Sequence, residues 1–370
     1  MVVRIPKNYE HLLAEDMQRL SDYRIKGTVS FIDFAPTLAK LAGLTSLAEH
    51  DGEAFLGDNI SLKQLNQRDY SFSYADRFDE RSSLLRSVHL NNYQYIRRYE
   101  PFTPDSLFNA YRARQPAYQE WDKMFKAGQL TPVQADYFEP KPAEALYDLA
   151  KDPHQINNLA KDPNYRKQLA SMRSALNNQV KILPDVGFYP ESYVLAQSNS
   201  NIASFGQRHK KEISALVDIA DLQLQPFAQV KMQLQHLLSK GTTWQKYWAL
   251  NVASHFGVEA VSLTAQANQI LNSNANTLIK ARALQFLTIA SSYKPQAKLI
   301  ELIKEASSDI QVVEILNIAA QLKDLKNFVI DIPMHSTWVK PNKSDPDFFH
   351  KNSKYNMIVD RIRFLSGEYD

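Results

Sequence analysis

The first sixty residues combine a short apolar run with one segment of helical period. The run at 2–5 is cut by Pro6, which predicts a short strand. Apolar positions between 34 and 42 recur with helical spacing, Asp33 is a candidate N-cap, and Gly43 suits a left-handed C-cap. The pattern therefore predicts a strand followed by a helix at about 34–42.

Residues 69–98 change to the period of two that is typical of strands. Aromatic side chains alternate with small ones over 70–75, which predicts a half-buried strand. Two further strands, 84–90 and 93–97, flank the pair Asn91-Asn92, and asparagine tolerates the positive φ of a tight hairpin. A fourth strand is predicted at 145–149.

The segment 100–140 carries five prolines and many aromatic residues. It predicts a long, partly helical insertion that packs against the rest of the protein. Apolar residues spaced by three or four predict a helix over 163–183. The segment 196–206 is low in apolar residues and rich in turn formers, which predicts a linker.

After this segment the chain is predicted to be helical, with an internal echo. Leu250, Leu284 and Leu316 are the centres of three similar apolar patterns that lie 34 and 32 residues apart. A period in the low thirties with paired helices is typical of an α-solenoid such as the HEAT-type repeats. A helical bundle without repeats is the alternative.

Composition narrows the possible functions. The chain has 370 residues, a net charge of +3, no cysteine and 10 glycines. The charge does not predict a nucleic-acid partner, because such proteins concentrate basic residues on one face. Without cysteine there is no disulfide, thiolate metal site or cysteine nucleophile. No G-x-G-x-x-G or P-loop motif is present, no apolar stretch reaches membrane-spanning length, and no signal peptide is recognisable, so localisation stays unknown.

One charged cluster stands out among the residues that could carry chemistry. Asp76, Arg77 and Asp79 directly follow the strand at 70–75, and Arg86 lies beyond them. Loops at strand ends often bind ligands, and the guanidinium fork matches sulfate, phosphate or carboxylate. A solvated, mutually neutralising turn is the alternative. The nine histidines show no metal-ligand spacing, so no metal site is predicted.

Two segments resemble the sulfatase family. The first is V-S-F-I-D-F-A-P-T-L with L-A-G after it, at 29–43; the second is E-A-L-Y-D-L, a D-P turn and I-N-N-L, at 144–159. The resemblance implies an α/β, alkaline-phosphatase-like sulfatase in its C-terminal portion, with a four-stranded antiparallel sheet. Residues 1–60 would be the truncated end of the catalytic α/β domain and 61–195 the C-terminal α+β subdomain. A HEAT-like all-α domain at 205–330 and a partly helical tail at 331–370 would follow.

The chain departs from the family where the chemistry takes place. The formylglycine motif C/S-x-P-S/A-R is absent, as are the family's calcium ligands, so no catalytic or metal-binding residue is assigned to this chain. Calcium and formylglycine are expected only in a complete family member. Asp76, Arg77, Asp79 and Arg86 remain the candidate substrate-binding residues, with the Arg77 guanidinium expected to be free for an anion.

The expected function is that of a C-terminal sulfatase fragment, inactive alone. Its family hydrolyses sulfate esters or sulfamates, so a sulfated glycan or an aryl sulfate is the expected partner once the missing domain completes the site. Complete members are usually periplasmic, secreted or lysosomal. The alternative is a non-enzymatic helical-repeat interaction protein with a sulfatase remnant and a protein partner on its repeats.

Overall fold

The structure is a computed structural model that describes residues 3–12, 25–44, 50–326, 330–334, 338 and 340–369. The chain divides into two compact units. The first comprises Met1–Ser73, Arg86–Ile96 and Leu146–Leu176, and the second comprises Tyr74–Leu85, Arg97–Ala145 and Asn177–Asp370. The division crosses every strand of the sheet.

Four strands, fifteen α-helices and seven short 3₁₀-helices make up the regular structure of the described residues. The strands are β1 Tyr70–Phe78, β2 Arg81–Leu90, β3 Tyr93–Arg98 and β4 Glu144–Asp148. The helices up to the sixth are α1 Phe34–Leu41, α2 Leu62–Asn66, α3 Ala110–Ala113, α4 Pro116–Lys126, α5 Pro132–Ala135 and α6 Arg166–Ile182. The later ones are α7 Glu191–Gln197, α8 Ile202–Ala220, α9 Phe227–Lys240, α10 Thr243–Phe256, α11 Thr264–Leu271, α12 Thr277–Ala290, α13 Gln296–Glu305, α14 Asp309–Lys326 and α15 Phe348–Leu365.

The strands form one sheet in the order β1-β2-β3-β4. Tight turns join the first three strands, and Asn91 in the second turn has a φ of 53°, as its sequence predicts. Backbone hydrogen bonds from Arg98 to Ala143 and from Leu149 to Asn92 show that β3 and β4 run in opposite directions. The four predicted strands are confirmed, and an antiparallel sheet with many helices fits an α/β fold.

The core of the first unit joins strands to a helix. Val88, Tyr95 and Leu146 pack against Leu169 and Met172 of α6. Burial of these apolar side chains is the main force that holds this unit together. The helix predicted at 163–183 is therefore confirmed, together with the apolar face that its spacing indicated.

The helix predicted at 34–42 is also confirmed, and Gly43 has a φ of 78° after its end. Asp33 stands at the N-cap, but its carboxylate accepts from the amides of Ser30 and Glu53, at 2.8 and 3.0 Å, rather than from the helix. The strand predicted at 2–5 is wrong for residues 3–5, which form no regular structure; Val2 lies outside the described residues. A short strand persists only beside partners, and the four strands of the sheet pair with one another.

The second unit is mostly helical. Leu250, Leu284 and Leu316 are fully buried, on α10, α12 and α14, and α12 packs against both α10 and α14. The three echoed segments are thus neighbouring helices with equivalent buried centres. Their assignment to HEAT-type repeats stays a prediction.

The linker predicted at 196–206 is wrong. Only residues 198–201 separate α7 from α8, and Phe205 and Gly206 are buried in the first turns of α8. Asn201 caps this helix, because its side chain accepts from the amide of Ser204 at 2.9 Å. The insertion at 100–140 is partly helical and packed, as predicted, with Leu107 and Phe108 in the core of the second unit. Within the described ranges, no helix is long and apolar enough to cross a membrane.

Candidate functional site

The second unit contains a pocket of about 400 Å³, a size typical of small-molecule sites. Apolar side chains form much of its wall, among them Leu84, Leu278 and Val313. Its polar and aromatic lining includes Asp76, Arg77, Glu100, Tyr189, Glu191, Tyr247, Trp248, Arg282, Gln285, Glu314, Asn317 and Gln321. Such a mixture of apolar walls and a few convergent polar groups makes this pocket the candidate site.

Arg282 of α12 is one of two arginines in the pocket lining. Its guanidinium is paired with the Glu100 carboxylate and donates to the Tyr247 hydroxyl at 2.6 Å and to Gln285 Oε1 at 2.9 Å. Burial opposes the charge of Arg282, but Glu100 and Tyr247 more than offset this, so its pKa lies above the ordinary value. Burial raises the pKa of Tyr247 to about 12. The guanidinium of Arg282 is therefore engaged in hydrogen bonds and an ion pair with neighbouring residues of the protein.

A relay of amides extends inward from this pair. Asn251 donates to Glu100 Oε1 at 3.2 Å and accepts from Gln223 Nε2 at 3.0 Å. Gln223 in turn accepts from Arg97 Nη2 at 3.1 Å. Each of these side chains thus has a partner on both sides, and such a satisfied network favours one arrangement of Gln223 and Asn251.

Glu314 of α14 is a buried carboxyl in the pocket lining. Ser192 donates to it through its hydroxyl at 2.5 Å and through its amide at 3.3 Å. Burial raises the pKa of Glu314 to about 7, although the bonds from Ser192 lower it in part and the nearby Glu191 raises it further. The protonation state of the pocket therefore changes near neutral pH.

We expect this carboxyl to make stability depend on pH. Because its pKa is higher in the folded state, its contribution is fully present below about pH 4.5 and is lost as pH rises through about 7. Wild type loses this contribution between pH 5 and pH 8, whereas glutamine at position 314 does not titrate. The unfolding free energy of Glu314→Gln minus that of wild type should therefore be about 2 kcal/mol higher at pH 8 than at pH 5. Urea denaturation at both pH values measures this gain. Glu301→Gln, at an exposed position, is the control, and an equal pH dependence in wild type and Glu314→Gln would contradict the expectation.

Arg77 lies in the pocket wall. The expectation that its guanidinium is free for an anion is wrong. It forms a bidentate pair with Glu191, at 2.6 and 3.0 Å, and donates to the backbone oxygen of Asp79 at 2.6 Å. The hydrogen bond to Glu191 raises the pKa of Arg77. Its charged partner, Glu191, belongs to α7. The alternative of a mutually neutralising turn would instead pair Arg77 with an acidic residue next to it in sequence.

The other three predicted site residues are dispersed. Asp76 lines the pocket, whereas Asp79 is not among its lining residues and holds the turn with a φ of 49°. Arg86 is buried and belongs to the first unit. The structure therefore brings Asp76 and Arg77 to the pocket, and their role in binding substrate stays a prediction.

Several polar residues of the pocket were missed by the sequence reasoning. Arg282, Gln285 and Glu314 lie within the segments that were interpreted as apolar core. Asn317, also in such a segment, accepts from Arg361 through Oδ1, while its Nδ2 is buried without a partner among the described residues. A charged residue inside an apolar helical pattern was the only signal available, and alone it does not distinguish a structural pair from a site.

Metal coordination finds no support in the described part of the chain. No group of three or more His, Asp or Glu side chains there could hold a metal ion.

Comparisons with known proteins connect part of this chain to the sulfatases. It is 33% identical over 196 residues to an ulvan-active sulfatase of Formosa agariphila, a match that covers 53% of this chain and 30% of that protein. A protein of Bacteroides thetaiotaomicron VPI-5482, whose solved structure is assigned to the sulfatases, matches with a TM-score of 0.25 and 23% identity, over 42% of this chain and 25% of that one. No family model matches the chain. Part of the chain is thus homologous to a sulfatase, and the chain spans about a third of that relative's length.

Proposed function

We propose that this chain is the C-terminal, glycan-binding portion of a sulfatase and that it hydrolyses no sulfate ester alone. The observation that carries the proposal is the 33% identity to the ulvan-active sulfatase over 196 residues. The two family-like segments at 29–43 and 144–159 support the C-terminal placement. The absence of the motif C/S-x-P-S/A-R from the sequence supports the inactivity, because the family's nucleophile is formed in that motif.

The chemistry of the pocket favours a sugar ring as its ligand. The aromatic ring of Tyr247 is part of the pocket lining, and the apolar face of a sugar ring can pack against such a ring. Glu100 and Glu314 offer acceptors for sugar hydroxyls, and the buried Nδ2 of Asn317 offers a donor without a partner among the described residues. A ligand that supplies hydroxyls would satisfy both kinds of group.

The charges of the pocket do not favour a sulfate group inside it. Both guanidiniums of the lining, those of Arg77 and Arg282, already pair with carboxylates. Three lining glutamates, Glu100, Glu191 and Glu314, face these two cations. We therefore assign the pocket to the hydroxyl-bearing part of a sulfated glycan such as ulvan, and not to its sulfate.

A direct test measures the binding of ulvan oligosaccharides, native and chemically desulfated, by isothermal titration calorimetry. Both forms should bind, and desulfation should leave most of the affinity. Glu314→Ala removes an acceptor and should weaken binding about tenfold or more. Glu301→Ala replaces an exposed carboxylate of α13 that pairs with Lys298, and it should bind as wild type does.

Three outcomes would contradict parts of this proposal. If neither oligosaccharide binds, or if wild type and Glu314→Ala bind with equal affinity, the pocket is not the glycan-binding site. Turnover of 4-nitrophenyl sulfate above a heat-inactivated control, with calcium present, would show that the chain is catalytic.

The second candidate is a helical-repeat protein that binds another protein and retains a sulfatase remnant. The side-by-side packing of α10, α12 and α14 favours it. The DNA sequence upstream of this chain distinguishes the two candidates. An upstream reading frame encoding C/S-x-P-S/A-R, continuous with this chain, supports the sulfatase portion, whereas a separate promoter and start codon support the repeat protein.

A further inference from the structure

Three arginines of the second unit surround a single carboxylate outside the pocket lining. Arg81 Nη2 lies 3.6 Å from Asp105 Oδ1, and Arg98 Nη2 lies 3.7 Å from Asp105 Oδ2. Arg112 approaches the same residue and donates to its backbone oxygen at 2.9 Å. We call Arg81, Arg98 and Arg112 the arginine cluster.

The hydrogen-bonding capacity of this cluster is only partly used, since Arg112 donates to the backbone oxygens of Asp105 and Leu107 through its two Nη atoms. The Nε atoms of all three arginines are buried and have no partner among the described residues. The distances of 3.6 and 3.7 Å from Asp105 are longer than hydrogen bonds. A buried guanidinium donor without an acceptor is unfavourable by the cost of its lost hydration, so each Nε atom is a vacant donor position.

The charges of the cluster are also unbalanced. Three cations face the single carboxylate of Asp105. The Tyr118 hydroxyl and Glu80 are the other acidic groups that act on Arg112, and burial raises the pKa of both. Burial lowers the pKa of Arg81 and of Arg112, and each is lowered further by a neighbouring arginine. Like charges held together in a partly buried place attract an anion.

From these contacts we infer that the arginine cluster binds a tetrahedral oxyanion, a sulfate or phosphate group. The planar guanidinium forks offer paired donors that match such an anion. The aromatic rings of Tyr118 and Tyr137 lie 5.5 and 5.6 Å from the Arg112 guanidinium, and they hold that side chain in place through cation–π contacts. Because none of the three arginines lines the pocket, this inference does not depend on the proposed function.

The test measures the binding of inorganic sulfate, inorganic phosphate and glucose 6-sulfate to the full chain by calorimetry, at constant ionic strength in chloride. The two inorganic ions probe a free anion, and the sugar ester probes an anion carried on a larger ligand. At least one probe should bind with a dissociation constant of about 1 mM or tighter. Arg98→Gln should weaken that binding about tenfold or more, whereas Arg114→Gln, at an exposed arginine paired with Asp360, should not change it.

A second variant has the opposite expected effect. Asp105→Asn removes the carboxylate that competes with the anion and keeps the shape of the side chain, so binding should become several-fold tighter. A merely structural role for Asp105 predicts no such gain. The inference is overturned if no probe binds to wild type, if Arg98→Gln folds and binds as wild type does, or if Asp105→Asn folds and binds no more tightly.

Discussion

Replacing Arg361 by methionine should lower the free energy of unfolding of the second unit by about 3–5 kcal/mol, since each buried acceptor left unpaired costs about 1–3 kcal/mol. Arg361 lies on α15 and is fully buried. Its guanidinium donates to Asn317 Oδ1 at 2.9 Å, to the backbone oxygen of Phe108 at 2.7 Å and to that of Glu80 at 3.3 Å. Methionine fills most of the volume but donates nothing, so three acceptors would lose their partner.

The same helix offers a matched control. Arg363 lies two positions further on, with half of its side chain exposed and an ion pair of 3.5 Å to Glu368. Arg363→Met should cost under about 1 kcal/mol. Urea denaturation followed by far-ultraviolet circular dichroism compares the two variants. Equal losses in both would show that the buried hydrogen bonds of Arg361 contribute little.

Replacing Arg282 by glutamine should lower the free energy of unfolding by about 3 kcal/mol. Glutamine keeps a polar side chain but removes the cation that pairs with Glu100, whose side chain is only 16% exposed. The carboxylate would then remain largely buried without its opposite charge. The Tyr247 hydroxyl and Gln285 Oε1 would each lose a donor as well.

A second substitution separates the lost charge pair from lost packing. Glu100→Gln in the Arg282→Gln background removes the isolated carboxylate, so the double variant should regain at least about 1 kcal/mol relative to Arg282→Gln. Calorimetric melting of wild type, both single variants and the double variant gives this coupling energy. Strictly additive losses would mean that Glu100 and Arg282 do not stabilise each other.

The sheet could be predicted because its signals are local. Alternation over 70–75 and the asparagine pair at 91–92 each depend on residues close in sequence, and the structure confirms the strand and the turn. The predicted half-burial of the strand is wrong, because Tyr70 and Tyr74 are exposed. The use of local signals alone also explains why the linker predicted at 196–206 is wrong. Serine and asparagine are common in linkers and also cap helices, and the sequence alone does not show that Asn201 begins α8.

The polar side of the pocket could not be predicted, because its partners are distant in sequence. Glu191, which pairs with Arg77, lies 114 positions away from it. Helix α12 is buried on nearly every side, so its polar residues do not follow an amphipathic pattern that would reveal which way they face. Arg282 and Gln285 are visible in the sequence only as interruptions of an apolar run.

The amide relay between Arg97 and Glu100 has a direction. A guanidinium only donates and a carboxylate only accepts, so Gln223 and Asn251 each have one amide orientation that satisfies both neighbours. Asn251 of α10 and Arg282 of α12 both donate to the Glu100 carboxylate. A shift of either helix by one turn would take its donor away from this carboxylate, whatever the apolar packing between the two helices. The relay and the Arg282 pair thus fix the register of both helices relative to Glu100.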